Sequence, residues 1–185
     1  MPGEDQMRFM PIGSTSDRNA SMEALPERSE YEKFYTAYGE CFSTWSEVET
    51  KLLAIFVFLL QSPDYDATSS AFYSTMGFRA KLDMVDAVVT NSKRVGIEDR
   101  NIWEKIRQTA LKSSQRRNQL AHNMVFYGRQ SENGQRKMFI GHPRTPYATS
   151  RLHTHDLKQI QESFSSLAKE MFSFWQQLLS NAQKA

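Results

Sequence analysis

The chain has one cysteine, Cys41, in 185 residues. A lone cysteine excludes an internal disulfide framework and fits a reducing compartment. Long apolar runs are also missing. The longest, Leu52 to Leu60, spans nine residues, less than half of the roughly 20 that a membrane-spanning helix needs. It reads as buried protein. No apolar stretch follows a basic start at the N-terminus, so no secretory signal is expected, and the chain reads as cytoplasmic with no membrane partner. Gly-rich phosphate loops, a G-x-S-x-G elbow, an H-E-x-x-H pair and glycosidase-like paired carboxylates are all absent. His153-x-His155, with His142 upstream, comes nearest to a metal set. With no cysteine or acidic cluster beside them, these read as loop and helix-cap histidines. No metal and no cofactor are expected.

Net charge is only +2, but it is unevenly spread. Residues 1–30 carry six acids and three arginines. Residues 111–151 carry eight basic residues against one acid, Glu132, a local charge of +7. Such asymmetry points to an anionic partner, with an ordinary solvated face as the plain alternative.

The length suits one domain with a single core. Residues 1–28 mix Pro, Gly, Ser, Met and both charge signs without periodicity, as a flexible arm would. Residues 29–183 then read as one helical domain. A first helix is predicted from about Ser29 to Gln61, with apolar positions at Phe34, Tyr38, Cys41, Trp45, Val48, Leu52, Ile55 and Leu59. Those gaps of three and four define one helical face. After Lys51 the helix is apolar all round, so that end must be enclosed by core or by a second subunit. A second helix is predicted from about Ala67 to Asn91, with Gly77 as its weak point and a place for close helix approach. A third is predicted from about Glu98 to Met124, with the stripe Trp103, Ile106, Ala110, Ser113, Arg117, Leu120 and Met124. Two β-prone runs around Glu132-Asn133-Gly134 predict a hairpin. A last helix starts near Thr154, with Asp156 in its first turn and an apolar stripe from Leu157 to Leu178. None of the six prolines falls inside these helices. The fold class expected is therefore all-α: a four-helix up-and-down bundle with a short β-hairpin before the last helix. Wide apolar faces and many aromatics add the expectation of a homodimer.

The third helix carries a contradiction. Its stripe calls for an apolar residue at position 117, and arginine stands there. A cation on a core-facing stripe is costly unless it is paired or lines a cleft. The plain alternative is a guanidinium that snorkels or meets Glu47 or Glu49. Asn118 and His122 are four apart and share a face. Arg117 and His122 are five apart and diverge by about 140° on an ideal helix. Using both residues requires that the arginine reach around, that the helix end near His122, or that two chains meet.

Arg117-Asn118-Gln119-Leu120-Ala121-His122 resembles the R-N-x-x-x-H signature of HEPN domains (higher eukaryotes and prokaryotes nucleotide-binding), placed late in a long helix as in that family. In helix order and hydrophobic pattern the resemblance covers residues 30–180, but only these six residues are specific. It implies a four-helix bundle of HEPN type and a dimer whose motif helices face one another across a shared cleft. It also implies a metal-independent endoribonuclease in defence, stress response or a toxin–antitoxin system, with an antitoxin or regulatory protein as partner. By that resemblance Arg117, Asn118 and His122 form the catalytic set. His122 acts as acid or base on the 2′-hydroxyl or the leaving oxygen, a task suited to imidazole. Arg117 stabilises the phosphoryl transition state, and Asn118 orients His122 or bonds a phosphate oxygen. The products implied are a 2′,3′-cyclic phosphate and a 5′-hydroxyl. Other members of the family are non-catalytic dimers that bind nucleotide, RNA or a protein partner, and this is the alternative. One subgroup has tyrosine two residues after the histidine; this chain has Met124 there, so that subgroup's control by tyrosine modification does not transfer. Arg116, Arg129, Arg136 and Lys137 are candidates to grip RNA phosphates, with Tyr127 and Phe139 as stacking surfaces. Glu49 is a candidate supporting acid. Arg79, Lys81 and Asp83 read as a charged face.

Overall fold

The computed structural model describes residues 27–129, 136–146 and 151–184. Most of the expected N-terminal arm and the Glu132-Asn133-Gly134 turn lie outside the described residues. The chain is mostly helical, with one small antiparallel sheet. The elements in order are α1 (Arg28–Leu60), α2 (Tyr65–Ser74), α3 (Phe78–Asn91), α4 (Ile97–His122), β1 (Met124–Arg129), β2 (Arg136–Gly141) and α5 (Thr154–Lys184). No helix among the described residues is long and apolar enough to cross a membrane.

α1 and α5 form the central pair. Their spacing explains why. The α5 stripe from Leu157 through Ile160, Phe164, Leu167, Met171 and Phe174 to Leu178 is buried at every position. It meets the buried α1 face that runs from Phe34 to Leu59. Trp45 of α1 packs edge-on against both Phe78 (4.5 Å) and Phe164 (4.9 Å). Cys41 sits in the same seam, and its thiol donates to the Leu157 carbonyl at 3.1 Å. Burial pushes that thiol up from 9.0 to about 11. The folded chain therefore keeps a proton that the unfolded chain has lost between pH 9 and pH 11. This group's contribution to stability falls as pH rises through that window. Because the thiolate is the reactive form, Cys41 is expected to resist a disulfide reagent at neutral pH in the folded protein and to react fully in urea.

The predicted second helix is two helices in the structure. α2 is capped by Asp64, whose Oδ1 accepts the Ala67 N–H at 2.8 Å. It ends at Ser74, and α3 restarts after Gly77. Phe72 and Phe78 both turn towards α1. Phe72 packs on Phe56 at 5.8 Å, and Phe78 packs on Trp45. Six positions apart on one continuous helix, they would face directions about 120° apart. A break lets both reach the same partner helix. Gly77 makes the break possible with φ 80° and ψ 144°, a region essentially reserved for glycine. The close approach expected at Gly77 is not there, since a Cβ would meet nothing within 4 Å. Gly77→Ala is therefore a test of backbone strain alone. It is expected to cost about 1–3 kcal/mol, measured as a drop in urea midpoint at unchanged slope.

α4 leans on α5 and α3. Trp103, Ile106, Ala110, Ser113 and Leu120 are buried, as their stripe requires. The helix ends at His122, so Met124 belongs to β1 and is exposed. The hairpin pairs Met124 with Gly141 through Arg129 with Arg136. Its second strand is pinned twice. Glu30 of α1 accepts the Met138 N–H at 3.1 Å, and Ile140 exchanges both backbone hydrogen bonds with Leu152, at 2.8 and 3.0 Å. At the start of α5, Asp156 accepts the His153 N–H at 2.8 Å, the reach-back half of a capping box.

Candidate functional site

The last turns of α4 send their side chains in three directions. Arg117 turns towards α1 and α2 and lines a cavity of about 220 Å³. α1 contributes Phe42, Trp45, Ser46 and Glu49 to the walls, and α2 contributes Tyr73. Arg116 turns instead towards α5, where it shares a separate cavity with Asp156, and it donates to Gln119 Oε1 at 3.2 Å. Asn118 and His122 face outward and are exposed. The shared face expected for Asn118 and His122 is present, as is the divergence of Arg117 from His122.

Arg100, Arg107 and Arg117 each have a buried Nε with no hydrogen-bond partner, and of these three it is Arg117 that lines this cavity. Its Nη1 donates a long bond of 3.4 Å to Asn118 Oδ1. It forms no ion pair among the described residues. Of the two plain alternatives, a guanidinium tied to a first-helix carboxylate therefore does not describe it, while one that snorkels fits its partial exposure and its bond to the exposed Asn118. Glu47 is exposed on α1. Glu49 lines the same cavity, but its charge is taken up elsewhere. Lys81 of α3 donates to Glu49 Oε2 at 2.7 Å, and the Trp45 indole N–H donates to Oε1 at 3.0 Å.

Lys81 departs from the expected charged face. Its side chain is only 11 % exposed and that of Glu49 20 %. Its ammonium also lies over the rings of Phe72 (5.4 Å) and Tyr73 (5.2 Å), so aromatic faces and a carboxylate replace its water. The signal was available in the sequence. Lys81 is three residues after Phe78 and four before Val85, on the inward stripe of α3. Its neighbours Arg79 and Asp83 do pair on the surface at 2.9 Å.

Tyr38 is a second residue that position alone did not single out. Its hydroxyl donates to the Leu120 carbonyl at 3.2 Å, which satisfies one of the carbonyls left open at the end of α4. Burial pushes its phenol above the ordinary tyrosine value. The bond ties the motif helix to α1 immediately beside the cavity, because Tyr38 packs edge-on against Phe42 at 5.1 Å.

The hairpin candidates separate. Lys137 is exposed. Arg136 is half-buried and has a partner. Arg129 ends β1 opposite Arg136. Phe139 is not a free stacking surface. It is 1 % exposed, stacked on Phe126 at 5.6 Å and covered by the Arg151 guanidinium at 5.1 Å. Tyr127 is half-buried and packs against the core. Tyr127 shares with Met138 and Ile140 the hairpin face that packs on the bundle, whereas Phe139 lies on the opposite face and is covered by Phe126, His153 and Arg151.

The histidines outside the motif have local duties. His142 Nδ1 accepts the Arg144 N–H at 3.2 Å. His153 Nδ1 lies 3.3 Å from the Met138 carbonyl, and His155 lies 3.1 Å from Asp156. No group of three potential metal-ligating side chains occurs among the described residues. No protein-family model, no curated protein and no solved structure matches the chain.

Proposed function

We propose that this chain is a metal-independent endoribonuclease of HEPN type that works as a homodimer. The observation that carries this reading is Arg117. It is a guanidinium on the inward stripe of a helix, lining a cavity, with a buried Nε that no protein group satisfies. A cation held in that state is poised for an anionic ligand. Asn118 bonds to it, and His122 stands one turn further on at the exposed helix end.

In the proposed reaction the ribose 2′-oxygen attacks the adjacent phosphorus and the bond from phosphorus to the 5′-oxygen breaks. The 2′-hydroxyl proton passes to an imidazole, and the leaving 5′-oxygen receives a proton from an imidazole. One His122 serves only one of these tasks at a time. Two copies meeting at the α4 ends supply two imidazoles, and they also bring each Arg117 within reach of chemistry from which its own His122 diverges. Arg117 bears the charge that builds on the phosphoryl oxygens, and Asn118 holds its guanidinium or a phosphate oxygen. The basic region around the hairpin, with Lys137 exposed, holds more of the strand by sequence-independent phosphate contacts. A role in defence or stress, in the cytoplasm and under an antitoxin or other regulatory protein, is the setting that this activity suits.

The test is cleavage of a mixed RNA substrate in EDTA by the purified protein. The expected products end in a 2′,3′-cyclic phosphate and a 5′-hydroxyl. Intact RNA in the presence of folded, undiluted protein sinks the ribonuclease reading.

A further inference from the structure

The cavity beside Arg117 is more than a seat for phosphate. Its walls combine an arginine with aromatic rings and a carboxylate, and a carboxylate repels phosphate. At about 220 Å³ it is smaller than the roughly 300–1,000 Å³ typical of drug-sized ligands, so it suits one flat group rather than a whole nucleotide. Phe42 and Tyr73 offer ring surface from two different helices, and aromatic faces are what an unstacked base seeks in a protein. Glu49 adds a directional element. Each of its oxygens accepts one bond from the protein, Oε1 from Trp45 and Oε2 from Lys81. An ionised carboxylate has about four lone-pair sites, so each oxygen keeps capacity for another donor. The Lys81 ammonium fixes the carboxylate in place.

We propose that this cavity is a guanine-reading subsite, in which Glu49 accepts the N1–H and the 2-amino group of a guanine base in a bound RNA strand. The Watson–Crick edge decides the base. Guanine alone presents two adjacent donors that match the two oxygens of a carboxylate. Adenine and cytosine present one amino group next to an acceptor nitrogen, and that nitrogen faces the second oxygen with like polarity. Uracil presents one N–H between two carbonyls, and both are repelled. Arg117, on another wall, then reaches the phosphate attached to the guanosine. This inference rests on reading the site as one for RNA. It goes further by naming the base and by making Glu49 a specificity residue instead of a supporting acid.

The test does not depend on turnover. The ¹⁵N-labelled chain is titrated with the 3′-monophosphates of guanosine, inosine, adenosine, cytidine and uridine, and the indole N–H resonances are followed. The three tryptophans report separately. The Trp45 indole is bonded to Glu49, Trp103 is bonded to Asp86 away from the cavity, and Trp175 lies outside it. Guanosine 3′-monophosphate is expected to move the Trp45 resonance and leave that of Trp103 in place. Inosine, which lacks only the 2-amino group, is expected to bind about tenfold more weakly, the cost of one hydrogen bond to a charged group. The other three are expected to bind more weakly still. Glu49→Gln presents one donor and one acceptor and is expected to erase the preference of guanosine over adenosine. Because inosine alters the ligand and not the protein, the comparison stands even where Glu49→Gln fails to fold. Equal binding of all five nucleotides, or no movement of the Trp45 resonance, overturns the subsite. Guanosine binding without RNA cleavage leaves the subsite standing and removes the ribonuclease. Cleavage indifferent to guanosine, with no selective binding, does the reverse.

Discussion

His122→Ala is expected to lower metal-free RNA cleavage by about 10²–10⁴-fold, the usual worth of a positioned general acid or base. The loss is expected without a matching loss of stability. His122 is exposed at the last position of α4 and supports no core contact. The unfolding midpoint in urea is therefore expected to match wild type, which separates this variant from one that merely fails to fold. Cleavage at the wild-type rate by His122→Ala rules out His122 as acid or base. A further consequence follows from the exposure of the site. If two copies supply the two imidazoles, mixing His122→Ala chains with wild-type chains depresses activity by more than simple dilution. Proportional dilution argues for a site complete in one chain.

Lys81→Met is expected to lower the unfolding free energy by about 3 kcal/mol, the low end for breaking a buried ion pair. The reason is the state of the partner left behind. Glu49, with its side chain 20 % exposed, would lose its cationic partner and retain only the Trp45 indole of its present side-chain donors. For a chain of this size the melting temperature is expected to fall by roughly 6–12 °C. The double variant Lys81→Met with Glu49→Gln is expected to recover most of the loss, because it removes the stranded charge while the amide oxygen still accepts from the Trp45 indole. A fully additive double variant, or a single variant as stable as wild type, shows that the pair contributes nothing to the fold. The same pair presents the cavity's carboxylate, so Lys81 links the stability of α3 against α1 to the chemistry beside Arg117.

The long elements were legible because each has an unbroken period. The α5 stripe from Leu157 to Leu178 is buried at every position. α1 was read to within one residue at both ends, and the hairpin falls where its β-prone runs predicted it. The break between α2 and α3 was not legible in the same way. Phe72 and Met76 keep helical spacing before it and Leu82 and Val85 after it, and a glycine inside a helix is tolerated at about 1 kcal/mol. Only the need of both Phe72 and Phe78 to reach α1 selects the bent form. Local propensity counts neighbours along the chain, and this choice was made by a partner more than a dozen residues away.

The site divides along the same line. The sequence by itself determined that an arginine interrupts a buried stripe at 117, that Asn118 and His122 share a second face, and that the two directions diverge. These follow from helix geometry and residue order alone. Tertiary structure decided what Arg117 meets. Glu49 and Lys81 are 32 positions apart and pair only because α3 packs on α1. That pairing leaves Arg117 without a carboxylate of its own among the described residues and turns Glu49 into the wall of a cavity. Tertiary packing also hides Phe139, which β-strand alternation alone left free to face outward, under Phe126 and the Arg151 guanidinium. An amphipathic pattern specifies which face of an element is buried, but the identity of the group across the gap is set by how the elements pack.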